Sequence, residues 1–349
     1  MKKGSLVETL AKRAFYSDAI LKSWQGHTQT FGRILEPAFV ENYQARIDLT
    51  AALNLIGNHE VQKGLQKLQS MQKYISTDED RAAWLFCVGL GFETANRKEE
   101  MLAFYQQAGE YGHTFYLPYL KVANSANKDC VFDVAEENYL KGIECLLKDE
   151  TLEQRDTILG AAYTNYASTL TMMHRYEEAE ETLKKSLKIL PEHKGRAAVE
   201  AILAAAKGNV EKAHMHLDNL KTQLPDSYES VRNMVDSILE NRNPQFDRIA
   251  IQDGAIDEFW NWFGSNEGAF FEKFKKNEYD TVALMIQSQL KKVFPFVERD
   301  LEVGITPKEE KYLITFADFY MVSLQYGYEE LIKAAPKPIL QHWEFTVER

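Results

Sequence analysis

Residues 163–191, YTNYASTLTMMHRYEEAEETLKKSLKILP, and residues 197–225, AAVEAILAAAKGNVEKAHMHLDNLKTQLP, decide the fold, because they are two copies of one pattern thirty-four residues apart. Ala167 corresponds to Ala201, Leu170 to Ala204, Ala179 to Ala213, Leu183 to Leu217 and Pro191 to Pro225. A period of that length belongs to stacked helical hairpins. Small residues at Ala167, Ala179, Ala201 and Ala213 let antiparallel helices approach, and large residues three or four places away fill the grooves between neighbours. One hairpin cannot bury its apolar face alone, so several must share a core.

The period continues toward the N-terminus. Allowing a ten-residue insertion, Tyr119, Ala123, Ala126, Phe132, Ala135 and Tyr139 precede, and thirty-four residues before them come Leu85, Gly89, Phe92, Met101, Tyr105 and Ala108. A fainter unit runs through Ala52, Leu55, Gly64, Leu68 and Met71. The hairpins are placed at 45–78, 82–115, 116–149, 160–193 and 194–227, and Tyr228, Val231, Met234, Val235 and Ile238 read as a capping helix. The copy Tyr163, Tyr166, Ala167, Leu170, Tyr176, Ala179, Leu183, Ser186 and Pro191 resembles the tetratricopeptide repeat. That resemblance implies a mostly α chain, an α-solenoid over residues 45–242, with first helices lining a concave face.

In that family the inward positions map here to Phe86, Leu90 and Glu93, then Leu120, Asn124 and Asn127, then Thr164, Ser168 and Thr171, then Ala198, Ile202 and Ala205. Asn124 and Asn127 can hydrogen-bond a peptide backbone, while Phe86, Leu90 and Ile202 offer apolar pockets. Some relatives clamp a terminal carboxylate with lysines and an arginine. Only Lys121 and Lys128 lie nearby here, which argues against that mode.

Asn241-Arg242-Asn243-Pro244 reads as a helix stop, with a linker over 243–254. Beyond it, Ile256, Phe259, Trp260, Phe263, Phe270, Phe271 and Phe274 form one helical stripe that must be covered. A second helix carries Val282, Met285, Ile286, Leu290 and Val293. The period then changes to two, through Val297, Leu301, Val303 and Ile305 and again through Tyr312, Ile314 and Phe316, which predicts a hairpin. A helix through Leu324, Tyr328, Leu331 and Ile332 stops at Pro336, and Trp343, Phe345 and Val347 close as a strand. The expectation for 255–349 is an α+β domain with a small antiparallel sheet. Phe259-Trp260-Asn261-Trp262-Phe263 with Asn266-Glu267, Leu313-Ile314-Thr315, and Ala334-Ala335-Pro336 with Trp343 resemble one uncharacterised bacterial domain family, which implies a fold and no catalytic residue.

Residues 1–44 read as an N-terminal helical cap: Leu6, Leu10, Ala14, Ile20, Leu21 and Trp24 allow helices, and Phe31, Ile34, Leu35 and Phe39 can cover the first hairpin. No apolar run approaches the roughly 20 residues that span a bilayer, and Glu8, Lys12 and Arg13 interrupt any signal-peptide core, so a cytoplasmic protein is expected. Cys87, Cys130 and Cys145 lack C-x-x-C spacing and read as reduced thiols in helices.

The formal net charge of -11 disfavours nucleic-acid and membrane partners, since the lysine runs are short and mixed with glutamate. Motifs for chemistry fail one by one. Gly89-Leu90-Gly91 lacks a third glycine and a preceding strand. Gly264-Ser265-Asn266-Glu267-Gly268 puts asparagine where a nucleophilic serine must stand. His214 and His216, two apart on a helix, face different ways and cannot share a metal, and His342 is expected to point to solvent, opposite Trp343.

The expectation is a non-catalytic scaffold without metal or cofactor, whose groove holds a peptide segment of a protein partner. Two alternatives stand beside it. One is a regulator or immunity-type inhibitor acting through the C-terminal domain, which carries 16 acidic against 11 basic residues over 255–349, a charge suited to steering. The other is an enzyme built on Glu267, a glutamate beside tryptophans.

Overall fold

The structure is a computed structural model that describes residues 26–27, 31–112 and 114–348. Leu6, Leu10, Ala14, Ile20, Leu21 and Trp24 lie outside the described residues. The helices pair as the period requires: α1 (Tyr43–Gly57) with α2 (Val61–Ser70), α3 (Asp78–Thr94) with α4 (Lys98–Tyr111), and α5 (Tyr116–Lys128) with α6 (Phe132–Lys148). Then follow α7 (Arg155–Met172), α8 (Tyr176–Ile189), α9 (Arg196–Ala206), α10 (Val210–Gln223) and the capping helix α11 (Pro225–Leu239). The ten-residue insertion is shared between the connection that ends at residue 154 and the added first turn of α7.

The hairpin turns share one backbone device. At Asn96, Cys130, His174 and Gly208 the chain is left-handed, with φ of 56°, 60°, 60° and 73°. In each turn the next residue's N–H reaches back to the helix: Arg97 to Phe92 O at 2.9 Å, Val131 to Ala126 O at 2.9 Å, Arg175 to Leu170 O at 2.9 Å and Asn209 to Ala204 O at 2.8 Å. This satisfies carbonyls that a helix end otherwise leaves open. Cys130 is therefore a turn residue rather than a helix residue; Cys87 and Cys145 are buried in α3 and α6, and none of the three is in a disulfide.

Two compact units divide the chain. The first comprises the residues up to 166 together with 185–191, and the second comprises 167–184 with 192–349. In the first, Ile34, Leu35 and Phe39 are buried in one core with Leu49, Leu53, Leu85, Phe86 and Tyr105. Alanines at 108, 123 and 135 are fully buried where helices meet. Asp80 joins the N-terminal turn to α3: its carboxylate accepts from Phe39 N at 2.6 Å, Ser76 Oγ at 2.8 Å and Thr77 N at 3.2 Å. Thr77 Oγ1 accepts Asp80 N in return, completing a capping box.

In the second unit, Ala201, Ala213, Leu217 and Leu220 pack with Val235 and Ile238 of α11. Another core lies among α12 (Ala255–Phe274), α13 (Tyr279–Val293), α14 (Val322–Lys333) and a three-stranded sheet of β1 (Val303–Pro307), β2 (Tyr312–Ala317) and β3 (Trp343–Glu348). Phe259, Trp260, Phe263, Phe270 and Phe274 of the expected stripe are buried there, and Trp260 Nε1 donates to Leu331 O at 2.9 Å.

The sheet is mixed, which corrects the expected antiparallel one. β1 and β2 form the antiparallel hairpin, with Val303 opposite Phe316 and Ile305 opposite Ile314. β3 runs parallel to β2, pairing Tyr312 with Trp343 and Phe316 with Val347. The cause is α14, which carries the chain back along the sheet before β3 begins. Strand β1 also starts later than the alternation predicts; Val297 and Leu301 are buried as loop residues ahead of it.

The stretch read as a linker is pinned at its start. Gln245, 7% exposed, donates its amide to Met172 O at 3.0 Å and Tyr320 O at 2.9 Å. Ser323 Oγ donates to Asp247 O at 2.5 Å and accepts from Ile249 N at 3.0 Å. His174 Nε2 also lies 2.8 Å from Tyr320 O, and its Nδ1 lies 2.9 Å from Tyr176 Oη. A carbonyl only accepts, so His174 donates from Nε2 to Tyr320 O and its Nδ1 accepts a hydrogen bond from the Tyr176 hydroxyl.

Candidate functional site

The inward positions expected from the repeat divide into buried and accessible residues. Phe86 is fully buried, with its ring edge-on to Phe31 at 5.6 Å. Leu90 and Leu120 are buried as well. Thr164 is buried with its hydroxyl 3.1 Å from Gly160 O and 2.8 Å from Ser186 Oγ, and Thr171 is buried with its hydroxyl on Ala167 O at 2.8 Å. These five side chains are spent on packing and internal bonds. Ser168, Ala198 and Ile202 are half-buried in the second unit, the last two against the α9–α11 core, while Ala205 is buried.

The accessible set in the first unit is Glu93, Lys121, Asn124, Asn127 and Asn165, at successive turns of α3, α5 and α7. Lys121 Nζ lies 2.9 Å from both carboxylate oxygens of Glu93, which also accepts the Tyr105 hydroxyl at 2.5 Å. Burial and the Glu93 carboxylate hold the Tyr105 hydroxyl well above its ordinary pKa, so it stays a donor. Asn124 Oδ1 accepts from Tyr139 Oη at 2.7 Å and from Asn165 Nδ2 at 3.2 Å. The Asn124 side chain is thereby oriented by two neighbours while remaining exposed.

Asn165 was not among the expected positions. It stands forty-four residues after Lys121, which is the repeat period plus the ten-residue insertion, so the register itself equates the two. A count of every third or fourth residue along a first helix steps from Thr164 to Ser168 and misses Asn165.

The features weighed as chemistry resolve into structure. Glu267, on α12, accepts Trp343 Nε1 at 2.8 Å and lies 3.1 Å from His342 Nδ1. His342 precedes β3 and is exposed, with its Nδ1 toward Glu267. Gly264 to Gly268 are interior residues of α12. His216 Nδ1 is 3.1 Å from Glu200, not near a second imidazole; burial raises the Glu200 pKa, yet His216 and Arg196 together hold it below the ordinary value. Among the described residues, no group of three potential ligands could hold a metal ion, and no helix is long and apolar enough to cross a membrane.

No family profile matches the chain, and no curated protein does. Among solved structures it is similar to YrrB, described as a TPR protein with an unusual peptide-binding site, at 17% identity over 56% of this chain and 94% of that one, with a TM-score of 0.44. The hairpin fold therefore stands on this chain's own period, turns and packing.

Proposed function

We propose that the chain is a non-catalytic protein-binding scaffold that holds an extended peptide segment of a partner along the row Glu93, Lys121, Asn124, Asn127 and Asn165. The observation that carries this reading is the Asn124–Asn165 pair. The Tyr139 hydroxyl fixes the exposed amide of Asn124, which in turn accepts from the exposed amide of Asn165 on the next hairpin, so a peptide's N–H and C=O groups can replace water there without first ordering the side chains. The adjoining Lys121–Glu93 pair gives the row a charge of each sign for orienting a segment.

The test is affinity purification with mass spectrometry from the native host, comparing wild type with Asn124→Ala/Asn127→Ala and with Asn165→Ala. A partner enriched by wild type should be lost from both variants while their melting temperatures stay within a few degrees of wild type. Equal recovery on all three baits removes these residues from the site.

A further inference from the structure

A hollow of about 340 Å³ opens in the first unit where the C-terminal half of α4 meets the N-terminal turns of α3 and the connection from α2. Its volume falls at the lower end of the range of small-molecule sites. The apolar lining is Ile75, half-buried, with Trp84 and Leu85, both buried; the Trp84 indole N–H is already committed to Leu68 O at 2.7 Å. Gln72 and Gln107 line the same space from exposed positions. Arg81 lies five residues before Phe86, about 140° around α3 from that inward position. The hollow is therefore on the other side of the helix from the peptide row.

Arg81 is the one charged residue of the lining, which holds no carboxylate. Among the described residues its guanidinium forms no ion pair, although Asp78 stands one turn before it on α3. It turns instead to Tyr111, stacking 4.9 Å from the ring centroid and donating from Nη1 to the hydroxyl at 3.2 Å. These contacts hold the group in place and leave its Nε–Nη2 edge without a partner among the described residues. A guanidinium edge of that kind receives a carboxylate through two parallel hydrogen bonds. The side-chain amides of Gln72 and Gln107 are likewise uncommitted among the described residues and supply further donors. One fixed cation beside an apolar surface selects an apolar body with a single negative charge.

We infer that this hollow binds a small apolar monocarboxylate, of the size of an arylacetic acid. The acid group takes Arg81 and the glutamine amides, and the carbon frame lies on Ile75, Trp84 and Leu85. The site shares no residue with the peptide row and does not depend on it.

Fluorine NMR titration of the full chain with 4-fluorophenylacetate tests this, with 4-fluorophenylacetamide as the uncharged counterpart of the same shape. Wild type should bind the acid saturably at a single site and more tightly than the amide. Arg81→Gln, an exposed substitution, should weaken the acid at least about tenfold, the scale of a lost hydrogen bond to a charged group, and leave the amide as it was. Gln107→Trp, which fills the space, should exclude both compounds, and Asn124→Ala should affect neither. Melting temperatures confirm that each variant is folded. No saturable binding of the acid to wild type, equal acid affinity in Arg81→Gln, or full binding by Gln107→Trp overturns the inference.

Discussion

At Gly89 there is no room for a methyl group: a Cβ there would stand 2.7 Å from the Tyr105 ring, which is fully buried between α3 and α4. Gly89→Ala must therefore push a closed aromatic side chain, and we expect a loss of about 1–3 kcal/mol in chemical denaturation. Asp80 makes a prediction in pH. Burial raises its pKa, but the hydrogen bonds from Phe39, Ser76 and Thr77 more than offset this and hold it below the ordinary carboxylate value. A depressed folded-state pKa contributes stability above the unfolded pKa of about 3.9, and that contribution is lost as pH falls through the folded value. The gap in melting temperature between wild type and Asp80→Asn should be constant from pH 7 to about 5 and close only below about pH 4. Gly89 was legible because small residues recur at the period. Asp80 was not, since three residues converge on it from two places in the chain.

Among the elements, the hairpin turns give the cleanest experiment. Gly208 is left-handed at φ 73° with nothing within 4 Å of a Cβ built there, so Gly208→Ala should cost about 1 kcal/mol through backbone conformation alone. A crystal structure of that variant should show unchanged packing of α9 on α10; movement of either helix would mean that space, not φ, sets the cost. Glu267 is the second case. Glu267→Ala leaves the indole N–H of Trp343, 1% exposed, without its acceptor, which should cost about 1–3 kcal/mol and shift tryptophan emission. The helices and the order of strands could be read from periodicity, because each element carries its own period. The direction of β3 could not: alternation tells which face a residue takes and is the same for a parallel or antiparallel neighbour.

On the scale of the molecule, the stretch 243–254 read as a linker carries its own buried contact. The buried amide of Gln245 bridges main-chain oxygens of Met172 at the end of α7 and Tyr320 ahead of α14. Gln245→Ala should cost about 1–3 kcal/mol for the Met172 carbonyl left without this donor, Tyr320 O keeping His174. It should also separate one melting transition into two, which differential scanning calorimetry can resolve. A glutamine between Pro244 and Phe246 has no pattern that marks it as buried, because its partners lie more than seventy residues away on both sides. The peptide row was legible in part for the same reason: repeat register locates Asn124, but only the fold reveals that Phe86, Thr164 and Thr171 are closed off.

The bond of His174 and Gln245 to Tyr320 is made to a peptide oxygen, which every amino acid possesses. Inherited variation at position 320 therefore leaves the acceptor in place, provided the replacement tolerates its left-handed φ of 60°, while positions 174 and 245 must keep a donor of the right reach. Distant homologues should drift at the first position and hold at the other two.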